Sequence, residues 1–150
     1  MKRLLQRKSY SLPLFLFLLC GLIIPKGFAQ SYTITVKVKN VRNNHGTVRV
    51  ALFKHEKEYM KDYSLGKIVN ANTPEVSVIF ENMPAGEYAI TVFHDENGNG
   101  KLDSNFMGVP KEGIGFSNDA SAFFGPPSWE KAKFTLNQAS LVQVIDLKYL

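Results

Sequence analysis

From Tyr32 to Val38 the apolar residues Tyr32, Ile34, Val36 and Val38 alternate with Thr33, Thr35 and Lys37, the period of two that a strand needs when one face is buried and the other meets water. Asn43-Asn44-His45-Gly46 interrupts the pattern with turn-forming residues, and Val48, Val50 and Leu52 resume it within Thr47 to Phe53. This pair predicts an antiparallel hairpin. Val76, Val78 and Phe80 alternate again, stop at Asn82-Met83-Pro84-Ala85-Gly86, and give way to Tyr88, Ile90 and Val92, a second predicted hairpin. Lys133 to Leu136 and Leu141 to Tyr149 flank Asn137-Gln138-Ala139-Ser140 as a third pair. Lys54 to Tyr63 is mixed and charged, as in a short surface helix or loop, and Lys67 to Val69 is a candidate minor strand. Short strands separated by turns, with almost no helical period, predict an all-β protein built as an antiparallel β-sandwich.

The interval from His94 to Glu130 breaks this rhythm. It contains no convincing strand yet is rich in Gly, Pro and aromatic residues. Phe106, Met107, Val109, Ile114, Phe116, Phe123, Phe124 and Trp129 carry too much apolar surface to leave in water. The interval is therefore expected to be a long ordered loop packed against one end of the sandwich.

Its first residues have a spacing that packing does not demand. Asp95, Asn97, Asn99 and Asp103 stand at positions one, three, five and nine of a run with Gly100 at six and Lys101 at seven, the order of a loop wrapped around a hard divalent cation, where position seven supplies a main-chain carbonyl. The EF-hand pattern also places a bidentate Glu at twelve, where this chain has Phe106. The run is closer to shorter D-x-[DN]-x-[DN]-G-x-x-D loops that borrow further ligands, and Glu112, Asp119 or Asn105 are candidates. The expected metal set is Asp95, Asn97, Asn99, Lys101, Asp103 and Glu112, with calcium as the cation. The competing reading is a solvated turn after a strand.

Charge and cysteine usage depend on the N-terminus. Lys2, Arg3, Arg7 and Lys8 precede an apolar run from Leu12 to Ile24, and Gly27-Phe28-Ala29 offers small residues where a signal peptidase cuts, so residues 1–29 read as a secretory signal peptide. The apolar run is shorter than the roughly 20 residues of a membrane span. Cys20 follows Leu19 instead of the small residue that lipoprotein processing needs. Lys2, Arg3, Arg7, Lys8 and Lys26 leave with the leader, so the net charge of +5 becomes 13 basic against 13 acidic residues in the remainder, without the basic surplus that nucleic acid would attract. The only cysteine leaves as well, so no disulfide is available to brace a long loop, and a cation is a natural substitute. Residues 30–150 are expected to form a single domain, exported to the periplasm or beyond.

The segment HDENGNGKLDSNFMGVPKEGIGFSNDASAFFGPPSW from His94 to Trp129, with GEYAITVF before it, resembles the DUF2141 family of secreted bacterial proteins. The matching features are D-x-N-x-N-G-K-L-D at Asp95 to Asp103, G-x-P-x-E-G-x-G-F-S-N at Gly108 to Asn118 and F-G-P-P at Phe124 to Pro127. The resemblance implies a compartment and a fold class rather than an activity. Met83 to Val92 also resembles the G-x-Y hairpins of transthyretin-like sandwiches, a short and generic likeness.

Besides a purely structural envelope or accessory domain with neither metal nor ligand, two kinds of function remain open. One is a noncatalytic module in which calcium orders the excursion and its surface binds a glycan or a cell-envelope partner, with Phe106, Phe116, Phe123, Phe124 and Trp129 either stacking on the ligand or packing beneath their own loop. The other is a small hydrolase or carbohydrate-active enzyme using Glu112 with His94 or Asp95. No nucleophile elbow, zincin helix or phosphate loop supports the second.

Overall fold

The computed structural model describes residues 31–122 and 125–150. The leader expected over residues 1–29, with its expected cleavage site and Cys20, lies outside the described residues, as do Phe123 and Phe124. The strands are β1 (Tyr32–Lys39), β2 (Thr47–Phe53), β3 (Leu65–Asn70), β4 (Glu75–Met83), β5 (Gly86–Asp95), β6 (Ile114–Phe116), β7 (Phe134–Leu136) and β8 (Ser140–Asp146), with one helical turn α1 (Trp129–Ala132) before β7. They form two sheets. The smaller has the order β4-β1-β8; the larger runs β3-β2-β5-β6, with β7 pairing the first residues of β5. The fold is an all-β sandwich. Every pairing is antiparallel except that of β1 with β8, where Thr33 to Lys39 run parallel to Ser140 to Asp146.

The alternation does what a sandwich requires of it. Ile34, Val36 and Val38 from β1 and Val76, Val78 and Phe80 from β4 face Val48, Val50 and Leu52 from β2 and Tyr88, Ile90 and Val92 from β5 in one core. Burying each such side chain stabilises by about 1.5–3 kcal/mol. The partners differ from those expected. None of the three predicted hairpins forms: β1 joins β4 and β8 while β2 joins β3 and β5, β4 and β5 lie in different sheets, and β7 and β8 do too. Each proposed turn carries the chain across the sandwich. A one-faced strand is equally satisfied by a neighbour beside it or by one across the core, so the period gives the buried face without the partner.

Opposite Leu52 and Ile90, on the outer face of the larger sheet, a second cluster joins Phe53, Tyr59, Ala89, Trp129 and Ala132. The Tyr59 ring meets Phe53 edge-on at 5.3 Å and Trp129 at 5.7 Å between centroids. The segment from Lys54 to Tyr63 contains a single helical turn, Glu56–Glu58, and the minor strand near Lys67 to Val69 is β3. The long excursion is less irregular than expected, because Ile114–Phe116 pairs with Thr91 to Phe93 and extends the larger sheet. Gly115 sits there because a Cβ at that position would come within 2.5 Å of Ile145 Cγ2.

Candidate functional site

The excursion leaves the sheet at the end of β5. Adjacent strand residues point to opposite faces, so His94 follows Val92 toward the interior while Asp95 follows Phe93 to the outer face. Both are fully buried. His94 Nε2 lies 2.8 Å from the His45 carbonyl oxygen, which only accepts, so this nitrogen carries the proton; Nδ1 then accepts from the Tyr149 hydroxyl at 2.9 Å. The same hydroxyl accepts the Arg42 N–H at 3.2 Å, and the Arg42 guanidinium lies 4.3 Å over the Tyr149 ring. Gly46, at φ +67°, lets the preceding turn lie against the Asp95 carbonyl, where any Cβ would collide.

Asp95 Oδ2 accepts Arg49 Nε at 2.7 Å and the Gly100 N–H at 2.9 Å. Burial alone would raise this carboxyl, but the Arg49 bond, the Gly100 N–H and the Arg49 charge together hold it below its ordinary value. Oδ1 is buried and has no hydrogen-bond partner among the described residues. Beyond it, Asn97 Oδ1 accepts the Asn99 N–H at 3.0 Å and Asn99 Oδ1 accepts the Lys101 N–H at 2.8 Å. The two amide nitrogens, from Asn97 at 2.6 Å and Asn99 at 3.0 Å, donate to one atom, Asp103 Oδ2.

Glu112 closes the arrangement from below. It is buried at 4 % exposure; Oε1 accepts the Glu96 N–H at 2.9 Å and Oε2 the Asp103 N–H at 3.0 Å. One carboxylate thus ties both ends of the eight-residue bend to the sheet. Glu96 is anchored sideways by Arg42 at 2.7 Å and Asn43 at 2.8 Å. Burial pushes its carboxyl up, yet the bonds from Asn43 and Arg42 outweigh burial and lower it.

Asp95, Asn97, Asn99, Lys101, Asp103 and Glu112 therefore belong to one structural unit. Asn105 and Asp119 do not join it: the Asn105 side chain accepts the Met107 and Val109 N–H groups, and Asp119 accepts the Asp146 N–H. Among the described residues no three His, Cys, Asp or Glu side chains gather to hold a metal by themselves. A cation here would have to draw on amide and main-chain oxygens as well, as such loops do. The amides of Asn97 and Asn99 now occupy the acceptor that a cation would take. Turning them end for end would point their oxygens at the Asp103 carboxylate and set their nitrogens against the Asn99 and Lys101 N–H groups, an arrangement that only a positive ion between the oxygens would hold.

Acid/base chemistry finds little room. His94 and Asp95 lie on opposite faces of the sheet, both ring nitrogens of His94 are engaged, and both Glu112 oxygens hold main-chain N–H groups. Among the described residues of the aromatic set, which leave out Phe123 and Phe124, no stacking platform assembles either. Phe116 and Trp129 are buried, whereas Phe106 is 96 % exposed. Arg49, Arg42, Asn43 and Tyr149 are parts of the site that sequence reasoning missed. Arg49 alone carried a signal, a charge at an outward position of β2, and locating its partner required knowing that β2 pairs β5.

A family model described as "Uncharacterized protein conserved in bacteria (DUF2141)" matches residues 36–143. No curated protein and no solved structure matches the chain at a significant level.

Proposed function

On the premise that the chain belongs to the DUF2141 family, we propose that it is an exported, noncatalytic β-sandwich module whose excursion binds calcium and presents a surface to a cell-envelope partner. One observation carries the reading. The amide nitrogens of Asn97 and Asn99 converge on a single oxygen of Asp103, at 2.6 and 3.0 Å, in the bend that follows a buried Asp95 whose second oxygen accepts nothing among the described residues. Ca²⁺ offers a shared partner to such oxygens and would exchange the amide nitrogens for their carbonyl ends. The metal acts by stabilising the bend, and its binding free energy adds to the stability of the excursion by mass action.

Export rests on the pattern of residues 1–29, and among the described residues no helix is long and apolar enough to cross a membrane. Of the two partners that the sequence suggests, a glycan has the weaker support, because Phe116 and Trp129 are buried instead of offering faces for stacking.

Calorimetric titration of the purified protein with calcium chloride tests the metal, and limited proteolysis with and without chelator tests its consequence. Binding heat at one ion per chain is expected, with chelator exposing residues 104–111 to cleavage while the sandwich persists. No heat at millimolar calcium together with a cleavage pattern indifferent to chelator would overturn the reading.

A further inference from the structure

The outer strands of the two sheets differ in how they are kept from pairing with a further chain. β3 carries Lys67, whose Nζ lies 5.7 Å over the Phe80 ring of β4, so one charged side chain spans both edges on that side of the sandwich. β4 adds exposed Glu75 and Glu81, and β6 is only three residues long. Charge and shortness are ordinary protections of a sheet edge. β8 has neither as far as Ile145: Ser140-Leu141-Val142-Gln143-Val144-Ile145 holds no charge, proline or glycine, and Val142 is 55 % exposed and Val144 39 %.

The ladder shows which main-chain groups of β8 are open. The Ala139 carbonyl accepts the Thr33 N–H at 3.1 Å and the Leu147 N–H reaches the Lys39 carbonyl at 3.0 Å, so the odd-numbered residues face β1. Main-chain direction alternates along a strand. Ser140, Val142 and Val144 therefore turn their N–H and C=O groups away from the sheet, where no strand pairs with them among the described residues. The next residue of this set is already engaged, since Asp119 Oδ1 accepts the Asp146 N–H at 3.1 Å, and beyond it Ile114 pairs with Lys148. From Asp119 the chain passes on to the outer face of the larger sheet, which Ala122 and Gly125 both line.

We propose that β8 pairs antiparallel with β8 of a second copy of this chain, the two-fold axis passing beside Val142. In that register Ser140 faces Val144 of the second copy and Val142 faces its own counterpart, so each outward residue meets another and exchanges both N–H···O bonds with it. Sliding the strands by two residues one way sets Ser140 against Asp146, whose N–H is taken. The other way sets Val144 against Gln138, outside the strand. The seam also suits itself in charge. Lys37 neighbours Val144 in the ladder, and the row it begins continues into Ser140 and Thr33 of the second copy, so lysine does not meet lysine. The row Ile79, Thr35, Val142 continues into the same three residues reversed, which covers the exposed valine from both sides. This pairing goes beyond the calcium reading and is independent of it.

Sedimentation equilibrium of the purified protein tests the pairing. So short a seam belongs with weak interfaces, and a shift from one chain to two is expected between ~10 μM and ~1 mM, equally in calcium and in chelator. Val142→Pro removes an N–H that has no partner within the chain, a change an edge strand tolerates, and should keep the protein monomeric throughout. Val142→Lys and Val142→Glu each set like charges together on the axis and should be monomeric alone; an equimolar mixture of the two should recover the dimer, because the axis sets residue 142 against itself. Thermal denaturation must report an intact fold for each variant, and if Val142→Pro fails to fold, the charged pair decides. A folded wild-type protein that stays monomeric at ~1 mM would overturn the proposal and leave the edge to a strand of another protein. A dimer that survives Val142→Pro, or a mixture of the charged variants no more associated than either alone, would overturn it as well.

Discussion

Replacing Glu112 by Gln asks whether one carboxylate, rather than the turns of the bend itself, holds the excursion to the sheet. In the native protein its two oxygens accept the Glu96 and Asp103 N–H groups at 2.9 and 3.0 Å, out of contact with water. Glutamine keeps the shape and one acceptor, but its amide nitrogen must then face a second N–H, donor against donor. The lost charge-assisted bond is worth ~1.5–3 kcal/mol, and the stranded N–H adds ~1 kcal/mol or more of uncompensated desolvation. A total of about 3 kcal/mol, at about 1.4 kcal/mol per decade, speeds opening of the bend roughly a hundredfold. Amide hydrogen exchange followed by NMR reads this directly at Glu96 and Asp103, with Val36 and Val50 as reporters of the core. Both bend amides should exchange faster by about two decades, with smaller changes in the core. If they exchange within about threefold of the wild-type rates, the carboxylate is not the fastener and the hydrogen-bond reasoning is wrong.

Three further outcomes follow from the same geometry. Gly46→Ala forces a Cβ into the Asp95 carbonyl at φ +67° and should destabilise by about 2–3 kcal/mol; an unchanged thermal midpoint contradicts the close approach. Asp95 is held below its ordinary value, so its contribution is complete above the unfolded value of about 3.9 and is lost as pH falls through the folded value. Urea midpoints should drop on acidification below about pH 4 and drop less steeply in Asp95→Asn; identical acid limbs would refute the assignment. Burial pushes the Tyr59 hydroxyl up to about 12, and that oxygen has no hydrogen-bond partner among the described residues. Its stabilising effect is therefore present below about pH 10 and lost as pH rises through 12, and Tyr59→Phe should remove this alkaline loss while keeping or raising stability at neutral pH. A clear drop in the neutral thermal midpoint of Tyr59→Phe would reveal a partner for the hydroxyl.

What the sequence made legible was the set of buried faces. Ile34, Val36 and Val38, like Val48, Val50 and Leu52, point inward as their alternation requires, because burial of a strand face is a local property. Pairing is not local, and the three hairpins expected from nearness in sequence are arches between sheets. β6 was invisible because Ile114-Gly115-Phe116 is too short to display a period, and it is a strand only because Thr91 to Phe93 offer it a ladder. In the candidate site, the spacing of Asp95, Asn97, Asn99 and Asp103 was readable, since the bend makes its own contacts. The burial of Glu112 was not. Nothing near Lys111 and Gly113 signals that this carboxylate would meet main-chain N–H groups from both ends of the bend. Arg49 escaped for a related reason, its partner Asp95 lying on a strand whose neighbour could not be inferred.

The parallel pairing of the first strand with the last bears on how the molecule comes into being. Thr33 meets Ser140 and Lys39 meets Asp146, so the middle strand of the smaller sheet must wait for residues 140–146 to emerge before its second ladder forms. Until then β1 and β4 make only a two-stranded ribbon, which is marginal in water. Long-range closure of this kind is slow. A nascent chain that stalls before residue 140 cannot zip β1 to β8, and it would remain an open substrate for chaperones and proteases however well the earlier strands are patterned.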